Sequence, residues 1–410
     1  MIEIKTNNYW VNHFNFLPEV LGSVDIPEEV EIYDLSLREG NQTPGCVITR
    51  NEMYDLALQL DDLGVKFIEF FPAVSVDDEW VATELTAKKA LKNAKVSVLV
   101  RPHTKDMEYA KKVKAQHIFL EGPAHMHSPV SIKYGNSFED IVQGFVDVIH
   151  EAHEAGMTVT ACPWDNGHAT MEELEYFVKA LANAGAEDIT YGDTYGYTMP
   201  WTMFYMVKKY REWSEDKCII STHYHNDWGM ATAATLAAVS AGARRVQVGM
   251  NHMGERAGNA LLDEVVMNLK YNMGVKVDVD EKKLYPLAKR FEAITKRPLH
   301  PQKPFVGEEI PWSGSGIVID MMLKGIAAGK NIYMGCYNPQ MVGQPDAYKA
   351  VWGKGCGSKM VANRVKELGF ELDRETIDSI RDEIKHQSLI TKSLVSQGVV
   401  DSLIRAAAEK

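Results

Sequence analysis

The chain has 410 residues, which is more than one compact core ordinarily holds. Of these residues, 45% are apolar and 24% are charged, a composition typical of a globular protein. Forty-four basic and 56 acidic residues give a formal net charge of −12, which argues against nucleic-acid binding. The five cysteines show no CxxC spacing, and neither a signal peptide nor a membrane span is recognisable. We therefore expect a cytoplasmic protein without nucleic-acid or membrane partners.

Eight short apolar runs alternate with longer amphipathic stretches between about residues 29 and 275. Runs rich in β-branched and aromatic residues are typical of strands buried on both faces. The predicted strands are 30–37, 67–73, 96–102, 117–123, 158–164, 188–194, 219–225 and 245–251. Helices are predicted between them, for example over 52–64, 138–156 and 231–242, each ending in glycine. Eight evenly spaced units favour a closed α/β TIM (β/α)₈ barrel over a doubly wound sheet.

The alternation ends after residue 275. The segment 296–304 is basic and contains several prolines, as linkers do, whereas 361–387 and 394–410 have helical patterns. We therefore predict an N-terminal arm or cap over 1–28 and a catalytic barrel over 29–295. A linker and smaller α-rich C-terminal subdomains are expected over 296–410.

Polar side chains gather where the predicted strands end, which is where the active site of a TIM barrel lies. This group comprises Arg38, Glu39, Gln42, Glu69, Arg101, Glu121, His125, His127, Asp165, His168, Asp193, Thr194, His223 and His225. His103 and His252 are weaker candidates, which we expect to lie behind metal ligands rather than to bind a metal themselves.

The pair His223 and His225 is the sharpest single feature of the sequence. Residues two apart on a strand face the same side, so both imidazoles can point to one place on the barrel axis. Glu39 is a natural anionic ligand, and Asn259 can supply an amide oxygen. Two imidazoles, a carboxylate and an amide suit a divalent cation (Mg²⁺, Mn²⁺, Co²⁺ or Zn²⁺) with positions open for a chelating substrate.

Several neighbouring residues allow two interpretations. Arg38 can polarise a carbonyl or merely form a structural ion pair. Thr194 can bind a substrate carboxylate or stabilise a turn. The loop over 254–259 can cradle a phosphate or simply open the eighth helix, with Glu255 and Arg256 as a structural pair. The cysteines are expected to be buried apolar side chains, although Cys356 lies in a glycine-rich loop.

The motifs LSLREGNQTPG, LGVKFIEFFPA, GDTYGYTMP, HYHND and GERAGNALLDEV resemble those of the metallolyase-type TIM barrels known as the DRE-TIM superfamily. That group includes isopropylmalate, citramalate, homocitrate and Re-type citrate synthases, and hydroxymethylglutaryl-CoA lyase. The region 303–325 and the loops that follow it resemble the post-barrel region of the isopropylmalate and homocitrate synthases. The resemblance therefore favours the synthase branch.

The resemblance implies roles for the matching positions. Glu39, His223, His225 and Asn259 match metal ligands, and Arg38 matches a catalytic arginine. Thr194 and Gln42 match residues around the carboxylate of a 2-oxoacid. The implied reaction is a Claisen-type condensation of an acyl-CoA, such as acetyl-CoA, with a 2-oxoacid, which makes the protein an acyltransferase. A homodimer is also implied.

Three departures from the family pattern concern the general base. Val318 and Gly355 stand where synthases of this branch usually have histidine, and Trp164 replaces a glutamate near the substrate. The base must then come from elsewhere; the predicted catalytic set includes His127, and His125, His168 and Asp320 are further candidates. The alternatives are a carbon–carbon lyase that runs similar chemistry in reverse, and a metal-binding relative with altered catalysis.

Overall fold

The computed structural model describes residues 3–102, 105–128, 130–330, 335–345 and 348–409. The chain divides into two compact units, His13–Leu299 and Met1–Asn12 with His300–Lys410. His103 lies outside the described residues. No helix within the described ranges is long and apolar enough to cross a membrane.

The larger unit is a closed parallel barrel of eight strands in chain order, in which β1 pairs with both β2 and β8. The strands are β1 Glu31–Asp34, β2 Phe67–Phe70, β3 Lys95–Val100, β4 His117–Pro123, β5 Thr158–Trp164, β6 Asp188–Asp193, β7 Ile219–Tyr224 and β8 Arg245–Val248. The predicted TIM barrel is thereby confirmed.

Ten α-helices accompany the barrel strands within the described residues. They are α1 Pro18–Leu21, α2 Arg50–Leu63, α3 Val76–Ala87, α4 Asp106–Lys112, α5 Phe138–Glu154, α6 Met171–Ala184, α7 Pro200–Ser214, α8 Ala231–Ser240, α9 Leu262–Met267 and α10 Leu284–Thr295. Capping boxes begin α5 and α6, where Ser137 and Thr170 bond with the third residue of each helix. These caps fix the residue at which each helix begins, after the loop that follows the preceding strand.

Side chains inside the barrel form layers. At the N-terminal end Arg245 pairs with Asp188 and Glu31. Above this polar layer an apolar cluster fills the interior, made of Tyr33, Leu35, Phe67, Leu99, Phe119 and Cys162. The packed interior forms a floor, so a ligand can enter only from the C-terminal ends of the strands.

In its described part, the smaller unit contains a two-stranded pairing and four α-helices. Its elements are β9 Trp312–Ser313, β10 Lys349–Ala350, α11 Gly316–Ala327, α12 Ser358–Glu367, α13 Arg374–Thr391 and α14 Gln397–Ala408. The segment 361–387, predicted to be helical, forms parts of two helices separated by residues 368–373. Gly369, at φ +80°, turns the chain after α12, and the Asp373 side chain accepts from the Thr376 amide to begin α13.

Candidate active site

A cavity of about 200 Å³ opens at the C-terminal ends of the barrel strands. It is lined by Arg38, Glu39, Gln42, Phe71, Leu99, Arg101, Glu121, Tyr134, Cys162, Trp164, Thr194, His223, His225 and Glu255. Most of the residues predicted to form the site therefore meet in one place. On the side of β3, β4 and β5, apolar side chains surround the charged residues Arg101 and Glu121.

Glu39, His223 and His225 bring their ligand atoms together in the wall of this cavity. The Nε2 atoms of the two imidazoles are 3.3 Å apart, and Glu39 Oε1 lies 3.5 Å from His225 Nε2. All three residues are buried. Burial and the neighbouring His225 lower the pKa of His223 to about 3, so this imidazole is neutral at pH 7.

The orientation of His223 is fixed from behind. Its Nδ1 lies 2.9 Å from Gln247 Oε1, and Gln247 Nε2 donates to Thr190 Oγ1 at 3.0 Å. Because the amide nitrogen is committed to Thr190, Oε1 faces His223 and accepts the Nδ1 proton. The lone pair of His223 is therefore on Nε2, the atom that faces the cavity.

Asn259 lies beside the histidines because the backbone forms a bridge between His225 and Asn259. Its Oδ1 is buried and has no hydrogen-bond partner among the described residues, while its Nδ2 lies 3.5 Å from His223 Nε2. A buried amide oxygen without a partner is costly; rotating the amide by 180° would bring this oxygen toward His223 Nε2, where a cation would satisfy it. These four residues fit a divalent metal ion.

Arg38 lies between two carboxylates, Glu39 and Glu69, and bonds to both. Burial would raise the pKa of Glu39, but Arg38 together with His223 and His225 holds it below the ordinary value. The structural ion pair considered for Arg38 is thus present. Its Nη2 nevertheless has no hydrogen-bond partner among the described residues, which leaves a donor for a substrate oxygen.

Asp165 links Thr194 to two histidines at the mouth of the barrel. Its backbone N–H donates to Thr194 Oγ1 at 2.9 Å, and its carboxylate lies 3.1 Å from His125 Nε2 and 2.8 Å from His168 Nδ1. Although burial acts to raise it, these imidazoles hold the pKa of Asp165 below its ordinary value. The hydroxyl proton of Thr194 stays available for a ligand.

Other candidates lie away from the cavity lining. His127 is not among the residues that line it; its side chain is 54% exposed, with Nε2 3.4 Å from Glu173. His252 is exposed, and Arg256 pairs with Glu255 and Asp227. In the smaller unit, Asp320 pairs with Lys324 and Lys359.

Cys356 is buried in the apolar core of the smaller unit. Burial raises the pKa of its thiol to about 11. A neutral buried thiol is a weak nucleophile, so the glycine-rich loop does not make Cys356 reactive.

Two features of the site escaped sequence analysis. Gln247 was assigned only to a strand, and Tyr134 was not singled out at all. The signal for Gln247 was an amide within an otherwise apolar buried strand, where a polar side chain needs a partner. No comparable signal exists for Tyr134, which lies in a long loop.

The chain matches the family model described as HMGL-like over residues 29–290. It is 35% identical to the 2-isopropylmalate synthase of Methanocaldococcus jannaschii over 90% of this chain and 69% of that protein. It is 32% identical to the homocitrate synthase AksA of Methanopyrus kandleri over 90% of each chain.

The fold is similar to that of the HMG-CoA lyase of Bacillus subtilis, with a TM-score of 0.59 and 22% identity. That match covers 68% of this chain and 98% of the lyase. The resemblance inferred from the motifs is confirmed, and the chain belongs to the HMGL-like family.

Proposed function

We propose that the protein is a metal-dependent acyltransferase that condenses an acyl-CoA, with acetyl-CoA as the first choice, with a 2-oxoacid. The products are a 2-hydroxy acid and CoA. The observation that carries this proposal is the buried group of Glu39, His223 and His225 beside Arg38 in one cavity, with Asn259 bridged to His225. The proposal is supported by relatives at 31–35% identity that are named 2-isopropylmalate synthase, homocitrate synthase and (R)-citramalate synthase.

Glu39, His223, His225 and Asn259 would hold the divalent cation. When bound, that cation supplies positive charge beside the oxo group of the substrate. Arg38 donates from its free Nη2 to the oxygen that becomes negative during carbon–carbon bond formation. Thr194 donates its hydroxyl proton to the substrate carboxylate, and Gln42 lies at the same wall.

The base removes a proton from the methyl carbon of the acyl-CoA, and the resulting enolate attacks the carbonyl carbon of the 2-oxoacid. Hydrolysis of the thioester then releases CoA. His168, whose side chain is 58% exposed and outside the cavity lining, is the first candidate for this base, because Asp165 binds its Nδ1 and is hydrogen-bonded to Thr194 in the cavity wall. His127 is the second candidate, on the loop that follows β4.

The test is CoA release measured with a thiol reagent in the presence of Mn²⁺. Acetyl-CoA and propionyl-CoA would be combined with pyruvate, 2-oxoisovalerate, 2-oxoglutarate and oxaloacetate. We expect release that requires both substrates and is lost in His223→Ala. His150→Ala, on the exposed face of α5, is the matched control and should retain the activity.

Two results would contradict the proposal. CoA release that needs no 2-oxoacid would indicate a thioesterase. No release from any pair, with Mn²⁺ still bound, would favour cleavage of a hydroxy acid or a relative with altered catalysis.

A further inference from the structure

The order of the strands places two walls of the cavity opposite each other. Since β1 to β8 follow one another around the closed barrel, β4 and β5 lie across from β8 and β1. The candidate metal ligands follow β1, β7 and β8, and Thr194 follows β6. A 2-oxoacid held by its carboxylate and oxo group on that side directs its remaining carbon atoms toward β3, β4 and β5.

The opposite wall is largely apolar, with one carboxyl group, Glu121, and one guanidinium group, Arg101, which binds Asp106. Phe71, Leu99, Cys162 and Trp164 contribute apolar surface, and Glu121 projects among them. Its direction follows from strand geometry: Phe119, two residues earlier on β4, packs in the barrel interior, and side chains two apart face the same side. Glu121 is also paired in register with Cys162 of β5.

Glu121 has no hydrogen-bond or ion-pair partner within the described part of the chain. The two arginines that line the cavity are already engaged by other carboxylates. Arg38 binds Glu39 and Glu69, and Arg101 binds Asp106 at 2.7 and 3.0 Å. A carboxyl group in an apolar wall without a partner is unfavourable, and a hydrogen-bond donor from a ligand relieves that cost.

The charge of the cavity indicates which ligands this wall rejects. Burial, with a further contribution from Glu39 and Glu69, raises the pKa of Glu121 to about 7 despite the nearby Arg38. A second carboxylate on the substrate would meet the acidic Glu121 on this wall. A purely aliphatic side chain would leave Glu121 without a partner.

We propose that Glu121 forms, with Leu99, Cys162 and Trp164, a subsite that selects 2-oxoacids with a short side chain ending in a hydrogen-bond donor. The donor is a hydroxyl or an ammonium group. The inference rests on the proposed function, because it assigns the side chain of the same 2-oxoacid.

Three acids that differ at one position test the subsite: 2-oxobutyrate, 3-hydroxypyruvate and 3-aminopyruvate carry a methyl, hydroxyl or ammonium group at the same place. Their binding to the Mn²⁺-loaded full chain would be measured by calorimetry, and CoA release with acetyl-CoA measured separately. We expect the better donor-bearing acid to bind roughly tenfold or more tightly than 2-oxobutyrate. In Glu121→Leu this preference should disappear or reverse.

Glu121→Gln keeps the size of the side chain and one acceptor oxygen, so it guards against loss of folding. It should retain a preference for the hydroxyl compound and lose any preference for the ammonium compound. The matched control is Glu172→Gln, at the exposed start of α6, which should keep the preference of the parent chain.

The remaining outcomes separate the two proposals. Equal binding of the three acids, no binding of any, or a preference that survives Glu121→Leu overturns the subsite. Turnover lost equally for all acids in Glu121→Gln, with their relative binding unchanged, also overturns it and assigns Glu121 to proton transfer. A Glu121-dependent binding preference without any CoA release overturns the condensation and leaves the subsite standing.

Discussion

At the scale of single residues, the amide of Gln247 determines which nitrogen of His223 can bind a metal. Without the acceptor at Nδ1, the proton can occupy either ring nitrogen, and part of the population loses its lone pair toward the cavity. We expect Gln247→Leu to weaken Mn²⁺ binding by roughly 10- to 100-fold. Calorimetric titration with Mn²⁺ measures this directly.

The control for this prediction is Gln143→Leu, an exposed glutamine on α5 that should leave the Mn²⁺ affinity unchanged. An unaltered dissociation constant in Gln247→Leu would mean that His223 is held in place by packing alone.

His117 gives the stability of the protein a specific dependence on pH. It is buried between Thr158 and Thr160, and burial, with the nearby Arg245 and Lys95, lowers its pKa well below 6.5. The unfolded chain therefore binds a proton at this residue that the folded chain does not. The stabilisation is complete above pH 6.5 and falls as the pH drops below it, by up to ~1.4 kcal/mol per pH unit.

Urea unfolding at pH 5, 6 and 7 tests this prediction. Below pH 6.5 we expect His117→Gln to lose less unfolding free energy per pH unit than the parent chain. The difference is up to ~1.4 kcal/mol per pH unit, the contribution of one bound proton. His150→Gln, exposed on α5, should follow the parent chain. Equal slopes in all three proteins would show that His117 does not contribute.

How far single residues could be predicted depends on whether their placement is local. Spacing of two on one strand brings His223 and His225 together, and strand order brings Glu39 to them. The contact of Gln247 with His223 depends on the register between β7 and β8, which no local pattern encodes. His127 was expected at the cavity and lies outside its lining, because a loop has no periodicity that fixes the direction of a side chain.

At the scale of elements, β4 and α5 approach closely at a glycine. A Cβ atom on Gly122 would lie 2.7 Å from Phe145 Cε2 and 2.9 Å from Pro102 Cγ. We expect Gly122→Ala to lower the free energy of unfolding by about 1–3 kcal/mol, because the ring and the proline must move. Urea unfolding of the full chain measures the loss.

Phe145→Leu replaces the aromatic ring with a smaller side chain, so the effect of Gly122→Ala can be measured with and without the ring. If the clash is the cause, Gly122→Ala should lower the free energy of unfolding less in the Phe145→Leu protein than in the parent chain. An equal loss of unfolding free energy in both proteins would show that contact with the Phe145 ring is not the cause.

Element types were easier to predict than element ends. Strands β4 and β5 have the predicted bounds, whereas β1 and β8 end three residues early. The residues after Asp34 and Val248 were included for their apolar character; Leu35, Leu37 and Met250 are indeed buried, but they do not belong to the barrel strands. A hydrophobic pattern indicates which residues are buried, and burial continues beyond the last hydrogen bond between two strands. The pattern therefore places the end of a strand too late.

At the scale of the whole molecule, α11 carries exposed apolar side chains on one face. Ile317 and Met321, one turn apart, are 79% and 57% exposed. Large exposed apolar side chains grouped together are typical of interaction surfaces. Since the motifs also imply a homodimer, we expect light scattering to give about twice the chain mass of 46.0 kDa.

Replacing Ile317 and Met321 together with lysine should shift the protein toward monomer. Ile326→Lys changes an exposed residue on the far side of the same helix, nine positions after Ile317, and should leave the mass unchanged. A monomeric parent chain would contradict the prediction.

The closed ring of strands has a consequence for aggregation. Each of the eight strands has a neighbour on both sides, so the folded barrel offers no unpaired strand edge to another chain. β1, β2 and β8 are the shortest strands of the barrel, since each has four residues and pairs with one neighbour through only two residue pairs. Release of any one of them would expose two strand edges together. Aggregation is then expected to start from molecules in which one of these strands has come loose, so its rate should follow the local opening of this part of the barrel.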